Sequence, residues 1–150
     1  MTRSFAFLAL VACAGEDVTL EAGIGEAAFA PAADGDDLPL VFGPQGSFHV
    51  WGALRATGVV PGDPADFAEK RNPKLTMVLE QGGEVIGGFV KLPRGLYPDG
   101  DAYVRFGETL VVGPVVDSLL GTEADLVVAI EDAAGATAEA RITGTFVLAE

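Results

Sequence analysis

Apolar and polar residues alternate at every second position through much of this chain. In TAEARITGTFVLA (137–149), Ala138, Ala140, Ile142, Gly144, Phe146 and Leu148 fall on one side, and Thr137, Glu139, Arg141, Thr143 and Thr145 on the other. A period of two sends successive side chains to opposite faces of a β-strand, so this segment predicts a strand with one buried and one wet face. ADLVVAIE (124–131) is apolar on both faces and predicts a central strand, joined to the first by the Gly-bearing turn EDAAGA (131–136). KLTMVLEQGGEVIGGFVKL (74–92) predicts a second hairpin, in which Gly82-Gly83 supplies the positive φ of a tight turn and Leu75, Met77 and Leu79 share a face. AYVRF (102–106) and TLVV (109–112) predict two further strands, and EAAFAP (26–31) a first edge strand. LPLVF (38–42) predicts another edge strand, because Pro39 has no N–H to donate.

One stretch breaks this period. In PGDPADFAEKRNPK (61–74), Asp63 can cap a helix, Pro64 suits its first position, and Asn72-Pro73 stops it. The expectation is a short helix over 64–71 with Phe67 tucked beneath it and Lys70, Arg71 and Lys74 as a basic cluster. About seven to nine short strands separated by turn signals, with one helical loop, predict an all-β, antiparallel sandwich of immunoglobulin-like or fibronectin-III-like type. The Cys…Trp…Cys signature of antibody domains is absent, and a closed barrel stays open as an alternative.

The longest predicted strand is SFHVWGALRAT (47–57), entered from Gly43-Pro44-Gln45-Gly46, which fits a type I turn. Phe48, Val50, Gly52, Leu54 and Ala56 make its core face. The opposite face carries Ser47, His49, Trp51, Ala53 and Arg55, and with it the only histidine and the only tryptophan of the chain. Two readings are open. His49, Trp51 and Arg55 form an exposed patch suited to a sugar or peptide, since Trp gives a large contact area at low entropic cost. Alternatively a crossing segment covers Trp51, and His49 bonds a turn carbonyl.

Composition narrows the chemistry. The 150 residues suit one domain large enough to fold on its own core. Asp and Glu number 22 against 9 Lys and Arg, a net charge of −13, which argues against nucleic-acid partners. A single histidine, no G-x-S-x-G elbow and no phosphate-cradling glycine loop leave no catalytic motif, so the expected domain is not an enzyme and needs no cofactor. Asp34, Asp36 and Asp37 in DGDD, and Asp99 and Asp101 in PDGD, are weak calcium candidates, although Asp-Gly is also ordinary turn chemistry.

The chain opens MTRSFAFLALVACAGED, with Arg3, a short apolar run, and Leu10-Val11-Ala12-Cys13. This resembles a bacterial lipoprotein signal peptide ending in a lipobox. The resemblance implies that residues 1–12 are removed, that Cys13 is the lipid attachment residue, and that 13–25 form a lipidated start and short linker before a sandwich domain at 26–150. Ala14, not Asp, after the cysteine implies the outer membrane. Stably held anchoring needs more than one acyl chain, which lipidation of such a cysteine provides. GPQGSFHVW is further similar to a GPQGG-x-HVW pattern of bacterial lipoproteins of sandwich type, with Ser47 in place of the second glycine; that resemblance brings no activity with it. The expected function is a lipid-anchored cell-envelope protein whose non-catalytic domain serves interaction with a protein or glycan, or structure. The alternative is a module for sugar, peptide or calcium that uses the Trp51 face or the Asp-Gly loops.

Overall fold

The computed structural model describes residues 17–150, which form strands and no helix. In chain order the strands are β1 (Thr19–Ile24), β2 (Ala30–Pro31), β3 (Asp37–Phe42), β4 (Phe48–Thr57), β5 (Lys74–Gln81), β6 (Glu84–Pro93), β7 (Tyr97–Asp99), β8 (Ala102–Gly113), β9 (Glu123–Glu131) and β10 (Thr137–Leu148). The proposed signal at 1–12 and Cys13 lie outside the described residues.

One ladder runs β2-β1-β4-β8-β7 and another β3-β10-β9-β5-β6. β3 belongs to both, pairing parallel with β10 through Asp37–Leu40 and antiparallel with β4 through Val41 and Phe42. The result is a mixed sheet, not the purely antiparallel one expected. It also places LPLVF inside the sheet, not at an edge. Pro39 is tolerated there because bonding in a parallel ladder alternates along the strand. Asp36 and Leu40 offer their carbonyls to Thr145 and Ala149, so the odd-numbered Pro39 turns its missing N–H away from β10. The pairing with β4 begins only at Val41.

Both predicted hairpins form. Gly82 and Gly83 have φ of 57° and 81°, the geometry a two-residue hairpin turn needs. The segments expected as two strands at 102–106 and 109–112 are one strand, β8. Gly107, at φ 72°, supplies an extra residue opposite β4 between Gly52 and Leu54, and the strand continues through this bulge. Of EAAFAP only Ala30–Pro31 pairs as a strand, and Thr19–Ile24, in the stretch expected to be linker, lines β4 along six residues.

The helix expected over 64–71 does not form. Asp63, Asp66 and Glu69 each turn a carboxylate oxygen onto the amide two residues ahead, of Ala65, Ala68 and Arg71. The amides of Asp66, Glu69 and Asn72 close successive three-residue turns. Acids at a spacing of three thereby offer the backbone a local alternative to the helical ladder. Asn72 is buried and locks the loop, accepting from Asp63 N and donating to Asp66 O. Phe67 is 61% exposed, not tucked under, with the Arg94 guanidinium 5.0 Å from its ring.

The core draws on both ladders: Leu38, Leu40, Val50, Leu54 and Leu110 meet Leu75, Met77, Leu79, Leu126, Val128 and Phe146, all essentially without solvent contact. The registers also define two ends. At the lower end β1 begins beside the end of β4, with Thr19 and Thr57 paired, and the loops 58–73, 100–101 and 132–136 gather there. Buried Asp132 closes this end by accepting from the amides of Val60, Ala134 and Ala136. The upper end holds the 43–47 turn, the Gly82-Gly83 turn and the 114–122 loop.

Candidate binding face at Trp51

The face of β4 that carries His49 and Trp51 is set by the strand period. Val41 of β3 and Val111 of β8 flank His49 as cross-strand partners, and Thr109 stands beside Trp51. The turn before the strand forms as expected: Gly46 N donates to Gly43 O at 3.0 Å, and Gly43 N to Ser47 O at 2.8 Å. This brings Pro44 and Gln45 over the same face.

His49 is only 6% exposed, its ring edge-on to the Trp51 indole at 4.4 Å. No side-chain hydrogen bond reaches a turn carbonyl, and Nε2 is buried without a partner, so the expected carbonyl bond is not made. Burial pushes the His49 imidazole below the usual histidine range, and the Glu26 carboxylate offsets this in part. Trp51 is half-buried. Its indole forms a ridge between two hollows. One, of about 240 Å³, opens where β1 and β3 part along β4 and is lined by Ile24, Ala30, Pro39, Val41 and Trp51. The other, of about 350 Å³, lies under the turn between Pro44, Ser47, His49, Trp51, Thr109 and Val111.

Arg55 does not join this face. Its guanidinium lies 3.7 Å from Asp99 at the lower end. Between it and Trp51 stands Ala53, which sees no solvent. Gly25 crosses here, donating to Trp51 O and accepting from Gly107 N. The cationic–aromatic patch of three is therefore a pair, His49 and Trp51, in an apolar setting.

In the acidic loops the Asp34 and Asp36 carboxylates bond the backbone, and Asp99 pairs with Arg55. Asp36 caps Ala33 N, Asp34 accepts from Thr143 N on β10, and Gly100 takes up φ 60° in the turn between Asp99 and Asp101. Among the described residues no three His, Cys, Asp or Glu side chains gather as a metal site requires. Ser47 shares a hollow with His49, yet no carboxylate orients the imidazole, so the pair lacks the third group of a nucleophilic constellation.

Pro39, Val41, Pro44 and Val111 line the hollows, and no sequence signal placed them there, because that place depends on pairing between distant strands. A second polar feature was equally silent. Arg105 is almost fully buried, bonded to Glu108 at 2.7 Å and to Gly95 O, with Arg94 3.5 Å from the same carboxylate. It ties β8 to the 93–96 crossover. No protein-family model matches the chain, and neither a curated protein nor a solved structure is significantly similar to it.

Proposed function

We propose that this chain is a lipid-anchored protein of the bacterial cell envelope, a tethered, non-catalytic interaction domain of immunoglobulin-like sandwich type.

 The observation that carries this reading is the placement of the Trp51 hollows near one end of the domain and the start of β1 at the other. A lipid on Cys13, a few residues ahead of β1, holds the lower end and leaves the hollows presented outward. Two adjoining apolar hollows separated by an indole suit a partner that lays apolar groups on either side of a flat aromatic ridge. A β-rich core shared by two ladders, joined at β3, is what supports the sandwich reading.

The address is tested by metabolic labelling with a fatty-acid analogue. The wild type takes up label and Cys13→Ser does not; equal labelling of both removes the anchor from the proposal. The binding face is tested by screening arrays of short peptides and oligosaccharides against wild type and Trp51→Ala. Ligands of the wild type lose about tenfold or more in affinity when an aromatic anchor of this kind is truncated. Ligands that bind both proteins alike would place recognition elsewhere.

A further inference from the structure

We propose that the Trp51 face receives a proline-rich peptide segment in the polyproline II conformation, laid across β3, β4 and β8. Two apolar residues of the segment, three positions apart, sit on either side of the indole, and a basic residue is drawn toward Glu26. This rests on the reading of the Trp51 hollows as the binding face of the domain and names the ligand class they take.

The first support is spacing. Val41 of β3 lines one hollow and Val111 of β8 the other, and both are cross-strand partners of His49. Two strand spacings, roughly 9.6 Å, therefore separate the flanks of the ridge. A polyproline II helix has three residues per turn and rises about 3.1 Å per residue, which sets residues i and i+3 on one side about 9.3 Å apart. A peptide in a β-strand offers about 7 Å between i and i+2 or about 13 Å between i and i+4, and matches the span at neither.

The second support is the polar inventory. The hollow on the β3 side is walled by Ile24, Ala30, Pro39 and Val41 and carries no polar side chain other than the indole. A sugar ring seated there would leave hydroxyls without partners, whereas a proline ring has none to satisfy. The hollow under the turn brings in Gln45, Ser47 and Thr109, whose amide and hydroxyls can donate. Polyproline II makes no internal hydrogen bonds, so its carbonyls are free to accept, and proline has no N–H that would need an acceptor. An α-helix covers a similar span over two turns but keeps its carbonyls for its own ladder. The third support is charge. Among the described residues no Lys or Arg lines either hollow, and Arg55, the cation further along β4, is held by Asp99. Glu26 follows Gly25 at the rim of the first hollow, and its carboxylate bears on His49 in the second. A face of this sign draws a basic residue and repels a carboxylate or phosphate.

The test titrates the full chain with synthetic decapeptides free of tryptophan and tyrosine, followed by calorimetry and by the emission of the single tryptophan. One peptide carries two prolines three positions apart and one arginine in a background of alanine. Its isomer has the same composition with the two prolines adjacent. The first is expected to bind the wild type about tenfold more tightly than the isomer, and to lose about tenfold in Trp51→Ala. Thr109→Asp, at an exposed position, is expected to cost about as much, by removing a donor and setting a carboxylate against the peptide carbonyls. That variant decides the matter should Trp51→Ala not fold. Glu26→Gln is expected to weaken the arginine peptide roughly threefold and to leave a peptide with glutamine in place of the arginine unchanged. Equal affinity for the two isomers, or binding of neither, overturns the proposal, and an unchanged affinity in Glu26→Gln overturns the place of the basic residue. An oligosaccharide or a proline-free peptide that binds the wild type and is lost in Trp51→Ala leaves the binding face standing and removes only this ligand. Proline peptides that bind the wild type and both variants alike remove the binding face, and the proposal with it.

Discussion

His49 combines two conditions that work against a charged ring, burial and an unpartnered Nε2, with the Glu26 carboxylate offsetting them in part. The neutral form is favoured in the fold, so the folded state takes up its proton at lower pH than the unfolded chain does. The associated stability is complete above the ordinary histidine value, near 6.5, and drains away as pH falls from there through the lowered folded value. The thermal midpoint of the wild type is therefore expected to fall more steeply than that of His49→Phe between about pH 7 and about pH 5. Parallel slopes in the two proteins would show that the ring does not titrate differently in the fold. The opposite sides of β4 were legible in the sequence, because the period of two is local. That Ala53 is covered on the outer side was not, because the segment that crosses there arrives from β1 and bonds to β8.

Among the elements, β3 best shows where a local signal misleads. Pro39 argued for an edge, which is right for a strand bonded to one kind of neighbour along its whole length. β3 instead exchanges its partner at mid-strand, and the proline sits where neither ladder asks for its amide. The junction is tight: a Cβ on Gly144 of β10 would lie 2.7 Å from Asp36 O and 2.8 Å from Leu38 Cγ. Gly144→Ala is expected to destabilise the domain by about 1–3 kcal/mol through overpacking, read as a lower urea midpoint. An unchanged midpoint would mean that β3 and β10 separate without cost. The hairpins β5–β6 and β9–β10 were readable because a few adjacent residues decide them. The 58–73 loop was misread because its acids serve equally as helix caps and as turn formers, and the repeated spacing of three chose the turns.

At the scale of the whole molecule, the all-β class and the central place of Leu75, Met77, Leu79 and Phe146 followed from the sequence pattern. The net charge of −13 was legible as a total but not as a distribution. Lys70, Arg71 and Lys74 are neighbours along the chain; Arg55, Lys91 and Arg94 come toward the same end only through the register of β4 and β6. The grouping of these cations is thus a product of strand direction, and Asp99, Glu131 and Asp132 arrive at the same end with them.

The shared strand β3 also imposes an order of events. Its first half has a partner only in β10, about a hundred residues later in the chain, and loop closure over such a span precedes any reward from the contact. A growing or threading chain therefore cannot complete its sheet until residues 145–148 are free to pair.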